Sequence, residues 1–225
     1  MEGIQVMINI IYEDNHLLVV EKPINIPVQA DDSKDLDFLN ILKKFIKNRD
    51  NKPGNVYLGL IHRLDRPVGG VMVFAKTSKC ASRLSEQVRN RSFKKTYYAV
   101  VEGKINKEDT LKDYLLKDTK NNIVKVNKEG KEAILDYKLI DYKDNLSLVK
   151  INLKTGRSHQ IRVQFSSRGH ALYGDNKYNK YAKVGQQIAL FAKELELTHP
   201  ITKENMKFSL DLKSKYPWNI FKKDS

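Results

Sequence analysis

GLIHRLDRPVGGVMVFAKT, Gly59 to Thr77, sets one carboxylate, Asp65, between Arg63 and Arg66. A histidine precedes them, and a proline, two glycines and an apolar run follow. The pattern predicts a strand on each side of a turn, because Pro and Gly punctuate it and VMVFA is continuous and β-prone. Working outward, HLLVVEKP (His16 to Pro23) is a second short apolar run ended by proline and predicts a buried strand. Asp32 or Ser33 then caps an amphipathic helix through Asn48, with Leu36, Leu39, Leu42 and Ile46 on one stripe and Phe38 and Phe45 widening it. Ser78 reads as the N-cap of another helix, with Ala81, Leu84 and Val88 facing the core. KKTYYAVVEG, ILDYKLI and LSLVKINL read as strands. SHQIRVQFSSRG reads as a short helix from Ser158 to Gly169, and QIALFAKELELTHP with MKFSLDL as a closing antiparallel pair. Between them, Lys104 to Lys131 turns rich in Lys, Asp and Asn and predicts a surface hairpin through NNIVKV and NKEGK. Many short strands with a few helices, lacking regular βαβ alternation, indicate α+β with a mixed, mainly antiparallel sheet.

The 225 residues suffice to bury a core without disulfides, and Cys80 is the only cysteine. Lys and Arg number 41 against 27 Asp and Glu, a net charge of +14, which points to a polyanion such as nucleic acid. No secretory signal is visible, and no apolar run approaches the roughly 18 residues that span a bilayer. A cytoplasmic protein without membrane contact is therefore expected.

Taken singly, Asp65 reads as a turn former, Tyr97 as a core aromatic and Arg162 as a helix residue in solvent. The five histidines show no paired ligand spacing, so no metal is expected. Ser158 and His159 are adjacent and do not face each other on a helix, so they make no nucleophile pair. No phosphate loop or dinucleotide fingerprint is present.

Together, HRLDRPVGG, KKTYYAVVEG and LKTGRSHQIRVQFSSRGHALYGDNKY resemble, in order, the motifs of the RluA-type pseudouridine synthases. DNHLLVVEKPINIPV ahead of them and LELTHPITKE behind them are also family-like. The resemblance implies the pseudouridine synthase fold with an RNA-binding cleft, and isomerisation of uridine in ribosomal or transfer RNA without cofactor or metal. It implies Asp65 as the catalytic carboxylate, either attacking the sugar or assisting removal of a sugar proton. Arg162 is implied as its ionic partner and Tyr97 as the residue beside the uracil. RNA contacts are expected from Lys22, His62, Arg63, Arg66, Lys94, Lys95, Arg157, His159 and Gln160. Ile161 and Phe165, four apart on their helix, are expected to wall the pocket or to pack the core. Few residues precede the first motif, so one catalytic domain over 1–225, with no preceding RNA-binding module, is expected, as is a monomer. The family's usual hydroxyl-bearing triplet is replaced by Val68-Gly69-Gly70. A non-catalytic RNA-binding protein and a small-molecule glycosidic hydrolase are the competing readings.

Overall fold

The computed structural model describes residues 7–30 and 35–221. The chain divides into two compact units, Met1–Phe93 with Leu195–Leu210, and Lys94–Glu194 with Asp211–Ser225.

The first unit is built on β1 (Asn9–Glu13), β2 (Leu17–Lys22), β3 (Gly59–Leu60) and β4 (Gly69–Ala75). All seven residues of β4 are buried, as expected of an uninterrupted apolar run with no solvent face. It pairs antiparallel with β2, from Leu17 opposite Ala75 to Lys22 opposite Gly70, and with β3. The β1–β2 turn is held by Asp14, whose Oδ1 accepts the backbone N–H of His16 and Leu17. Two helices cover the unit. In α1 (Phe38–Arg49) the N-cap is Asp37, accepting from the Asn40 N–H, and Phe38, Leu42 and Ile46 form the buried stripe. The expected caps Asp32 and Ser33 lie outside the described residues, and Leu36 is exposed, so the helix begins later than its apolar pattern suggests. α2 (Ser78–Arg89) is capped by Thr77, whose side chain accepts from the Cys80 N–H. Leu17, Val19, Val71, Val73, Leu84 and Phe93 are at the centre of the core beneath it. The end of β10 (Leu190–Thr198) and β11 (Asn205–Ser209), which pair, complete this unit.

The second unit carries β5 (Lys94–Glu102), β6 (Glu108–Asp118), β7 (Ile123–Val126), β8 (Lys131–Lys143) and β9 (Leu146–Leu153) in the order β5-β9-β8-β6-β7. Each of these pairings is antiparallel. The lysine-rich segment is therefore sheet, not a surface appendage: β6 pairs with β8 from Glu108–Lys138 to Leu115–Lys131. Its buried positions, Leu111 and Leu115, are too sparse among charges to register as a strand pattern. Gly130 closes the turn into β8 because a Cβ there would lie 2.3 Å from the Leu115 carbonyl carbon.

The short α3 (Gln160–Ser166) buries Gln160 through Phe165. Its N-cap is His159 in the left-handed region, φ 51°, rather than Ser158. Gly169, also left-handed, follows its end. Three α-helices among the described residues and mainly antiparallel strands make the fold α+β. Among the described residues, no helix is long and apolar enough to cross a membrane.

Candidate functional site

The Asp65 turn is built from backbone. The Val68 N–H donates to the Asp65 carbonyl at 2.9 Å, Leu64 and Val68 are buried on either side, and the Asp65 side chain is half-buried between exposed Arg63 and Arg66. Beneath the turn lies Lys22, with no exposed surface. Its Nζ donates to the carbonyls of Pro23 (2.9 Å), Arg66 (3.1 Å) and Val68 (2.9 Å). Burial pushes the ammonium down to about 7, the Asp65 carboxylate draws it back up, and Arg66 adds to the fall. Three acceptors require three protons, which only the charged form carries. Lys22 thus stakes the carboxylate's turn from below. The glycines that follow are explained here. A Cβ on Gly69 would lie 3.1 Å from the Lys22 carbonyl, and Gly70 has φ 131°, so a side chain would crowd the first position and strain the second.

In the second unit Tyr97 is buried on β5 opposite Ile151. Arg162, also buried, is held by Asp175 through two bonds, Nε to Oδ2 at 2.8 Å and Nη2 to Oδ1 at 2.6 Å. The Asp175 Oδ1 also accepts the backbone N–H of Lys177 and Tyr178, and the guanidinium carbon lies 5.1 Å from the Tyr178 ring centroid. A bidentate buried pair whose Oδ1 is also anchored by two backbone N–H groups fixes the guanidinium plane.

The model of the RNA pseudouridylate synthase family matches residues 16–167, a span that includes Lys22, Asp65, Tyr97 and Arg162. The chain belongs to this family. A Bacillus subtilis protein described as an uncharacterized RNA pseudouridine synthase is 33% identical over 88% of this chain and 66% of its own length. Ribosomal large subunit pseudouridine synthase C of Vibrio vulnificus is 33% identical over 89% and 64%. The chain thus spans about two thirds of the length of such relatives. The solved structure titled human RNA pseudouridylate synthase domain containing 4 shares the fold, with TM-score 0.76 at 21% identity over 91% of this chain and 88% of that one.

The residues expected to meet RNA in this family member divide into two groups. Arg63 and Arg157 are exposed, as are Lys94 and Arg66, although Arg66 is drawn to Asp35 and donates to the Asn25 carbonyl. Lys95 is half-buried, its ammonium pulled down by burial. Its Nζ would lie 3.3 Å from a Cβ on Gly156. The expected phosphate contact at Lys22 is corrected: its donors are spent inside the fold. Gln160 is corrected for the same reason. Its Oε1 accepts from Thr155 and the Arg157 N–H, while its Nε2 donates to the Ile134 carbonyl and Gln164. The His62 Nε2 is turned inward to accept the Val73 N–H at 3.3 Å, and its ring lies 5.3 Å from that of Phe93. His159 is buried with Nδ1 2.6 Å from the Tyr178 hydroxyl. That hydroxyl also accepts the Val124 N–H. Ile161 is buried, and Phe165 packs against Tyr137 with centroids 5.3 Å apart, which places Phe165 in the core. Sequence reading missed Asp175 and Tyr178. Both stand in the quoted YGDNKY, but the chain turns between them and Arg162, and spacing cannot register a pairing across a turn.

Proposed function

We propose that this chain converts uridine in RNA to pseudouridine, and that its target is ribosomal RNA. The observation that carries the reading is Asp65, a carboxylate presented half-exposed on a turn whose backbone is clamped by buried Lys22, in a chain of the RNA pseudouridylate synthase family. The names of relatives such as the Vibrio enzyme support the ribosomal target.

In this reaction the bond from uracil N1 to the ribose C1′ breaks and a bond from C5 to C1′ forms. The proton lost from C5 is matched by one gained at N1, so the product is an isomer and no cofactor is consumed. A carboxylate suits the sugar step, either as the group that attacks C1′ or as the base that removes a sugar proton. Tyr97 serves beside the uracil, and Arg162, held in one orientation by Asp175, supplies the positive charge of the reaction centre. The target base leaves its stack to react, which costs a few kcal/mol and least in an unpaired loop.

The test is production of pseudouridine on an unmodified transcript of large-subunit ribosomal RNA. Wild type is expected to form it, and Asp65→Asn to bind the transcript with similar affinity and form none. Equal turnover by the two proteins would overturn the reading.

A further inference from the structure

β5 opens with an exposed lysine, Lys94, and a half-buried one, Lys95. Further along, Tyr97 stands opposite Ile151, Ile151 opposite Tyr137, and Tyr137 packs against Phe165 of α3. This face of the sheet is therefore the one α3 covers, and Lys95, two residues before Tyr97, points to it as well. Its ammonium ends at the loop before α3, 3.3 Å from where a Cβ on Gly156 would stand. The cations beside it have acceptors: Lys154 pairs with Asp136, and the Arg157 Nε donates to the Glu132 carbonyl. Lys95 has none among the described residues, and burial alone lowers its hold on the proton.

A lysine stem is flexible enough to carry its ammonium into water. Keeping the charge desolvated without an acceptor is unfavourable, and an anion at the ammonium offsets that cost. Gly156 leaves room for one. Its backbone is not in the left-handed region, so conformation does not require glycine there. Among the described residues, and apart from its chain neighbours, the Lys95 Nζ is the only heavy atom within 4 Å of the position its Cβ would take. That atom ends a flexible side chain and gives way easily, so the fold alone would accept alanine. What the missing Cβ provides is open space against the ammonium, where a ligand meets both the cation and bare backbone.

We infer that Lys95 and the open side of Gly156 form a phosphate subsite, which holds one of the two phosphodiesters flanking the reacting uridine. An ammonium is a compact point charge suited to phosphate, and the chain's charge of +14 fits a polyanion. Lys95 and Tyr97 stand about 7 Å apart along the strand, within the span of one nucleotide from base to phosphate. The inference rests on the RNA reading above, which sets the uracil beside Tyr97. Its consequence is that the enzyme grips the reacting nucleotide by its own backbone, close to the base that Tyr97 meets.

Affinity for the large-subunit ribosomal RNA transcript is measured across a salt series for wild type, Lys95→Met, Gly156→Ala and the double variant. Lys95→Met is expected to bind about tenfold more weakly, with a slope of log affinity against log salt shallower by about 0.7–0.9, the loss of one phosphate contact. Gly156→Ala is expected to lose comparable affinity while unfolding thermally as wild type does, and the double variant to lose no more than Lys95→Met. A hairpin around the uridine that wild type converts is then made with a neutral methylphosphonate at either flanking linkage. One of the two is expected to weaken wild-type binding about tenfold and to leave Lys95→Met unaffected. Unchanged affinity and slope in Lys95→Met would overturn the inference. So would additive losses from Lys95→Met and each methylphosphonate, or slower conversion with affinity intact, which moves the ammonium to the uracil. Failure of wild type to form pseudouridine sinks the functional reading instead, and the salt series on the transcript still decides whether Lys95 holds a phosphate.

Discussion

At Lys22 the charge state and the shape of the turn are one question. The ammonium gives a proton to each of three carbonyls, two of them in the Asp65 turn, and the neutral amine has only two protons to give. The unfolded lysine keeps its proton up to its ordinary 10.5, whereas in the fold it is released from about 7. Between those values the unfolded chain binds more protons, so this residue makes stability rise with pH. Relative to Lys22→Met, wild type should therefore gain about 2 kcal/mol between about pH 7.5 and 9.5, measured by denaturant unfolding of both proteins at each pH. A constant difference would show that burial does not lower the lysine's hold on its proton. Little of this is legible in EKP. A lysine at the end of an apolar strand, just before a proline, reads as a residue emerging into solvent. Its burial follows from the β2–β4 register, which sets Lys22 opposite Gly70.

Among the elements, α3 depends most on distant partners. It has seven residues, no side-chain N-cap bond and a left-handed residue at its start, so propensity alone would not hold it. Polar groups buried along it do so instead. Gln164 donates to Asp113 and to the Leu111 and Ala133 carbonyls, Gln160 closes the loop before it, and Arg162 binds Asp175. Asp175→Ala removes the bidentate carboxylate that fixes the buried guanidinium and is expected to cost about 3–5 kcal/mol. Thermal unfolding checks this, and a loss below about 1 kcal/mol, the range of an exposed pair, would contradict it. The HQIRVQF periodicity showed that a helix would form. It did not show that the helix's polar residues face inward, because a sequence of Gln and Arg reads as a solvent face. β6 illustrates the same limit in a strand, where alternation survives only at Leu111 and Leu115 and pairing with β8 supplies the rest.

For the whole molecule the charge of +14 is the property a polyanionic substrate would register. Affinity for the ribosomal RNA transcript is expected to fall at least a hundredfold between about 50 and 200 mM salt, as for a protein neutralising several phosphates. A flat response would favour the small-molecule hydrolase reading, whose neutral substrate has no counterions to release. Local order along the chain determined much on its own. Apolar runs and turn residues placed β2, β4, β5, β8 and β9 and most of the three helices, since those depend on neighbours a few positions away. The succession HRLD, KKTYY, GRSHQIR determined the family. Only the tertiary structure decided which lysine is a clamp and which reaches solvent, that Asp175 orients Arg162, and why glycine stands at 69 and 70. Those outcomes follow from strand register and from hydrogen bonds between groups far apart in the chain, where desolvation leaves a buried donor no partner but the one the fold delivers.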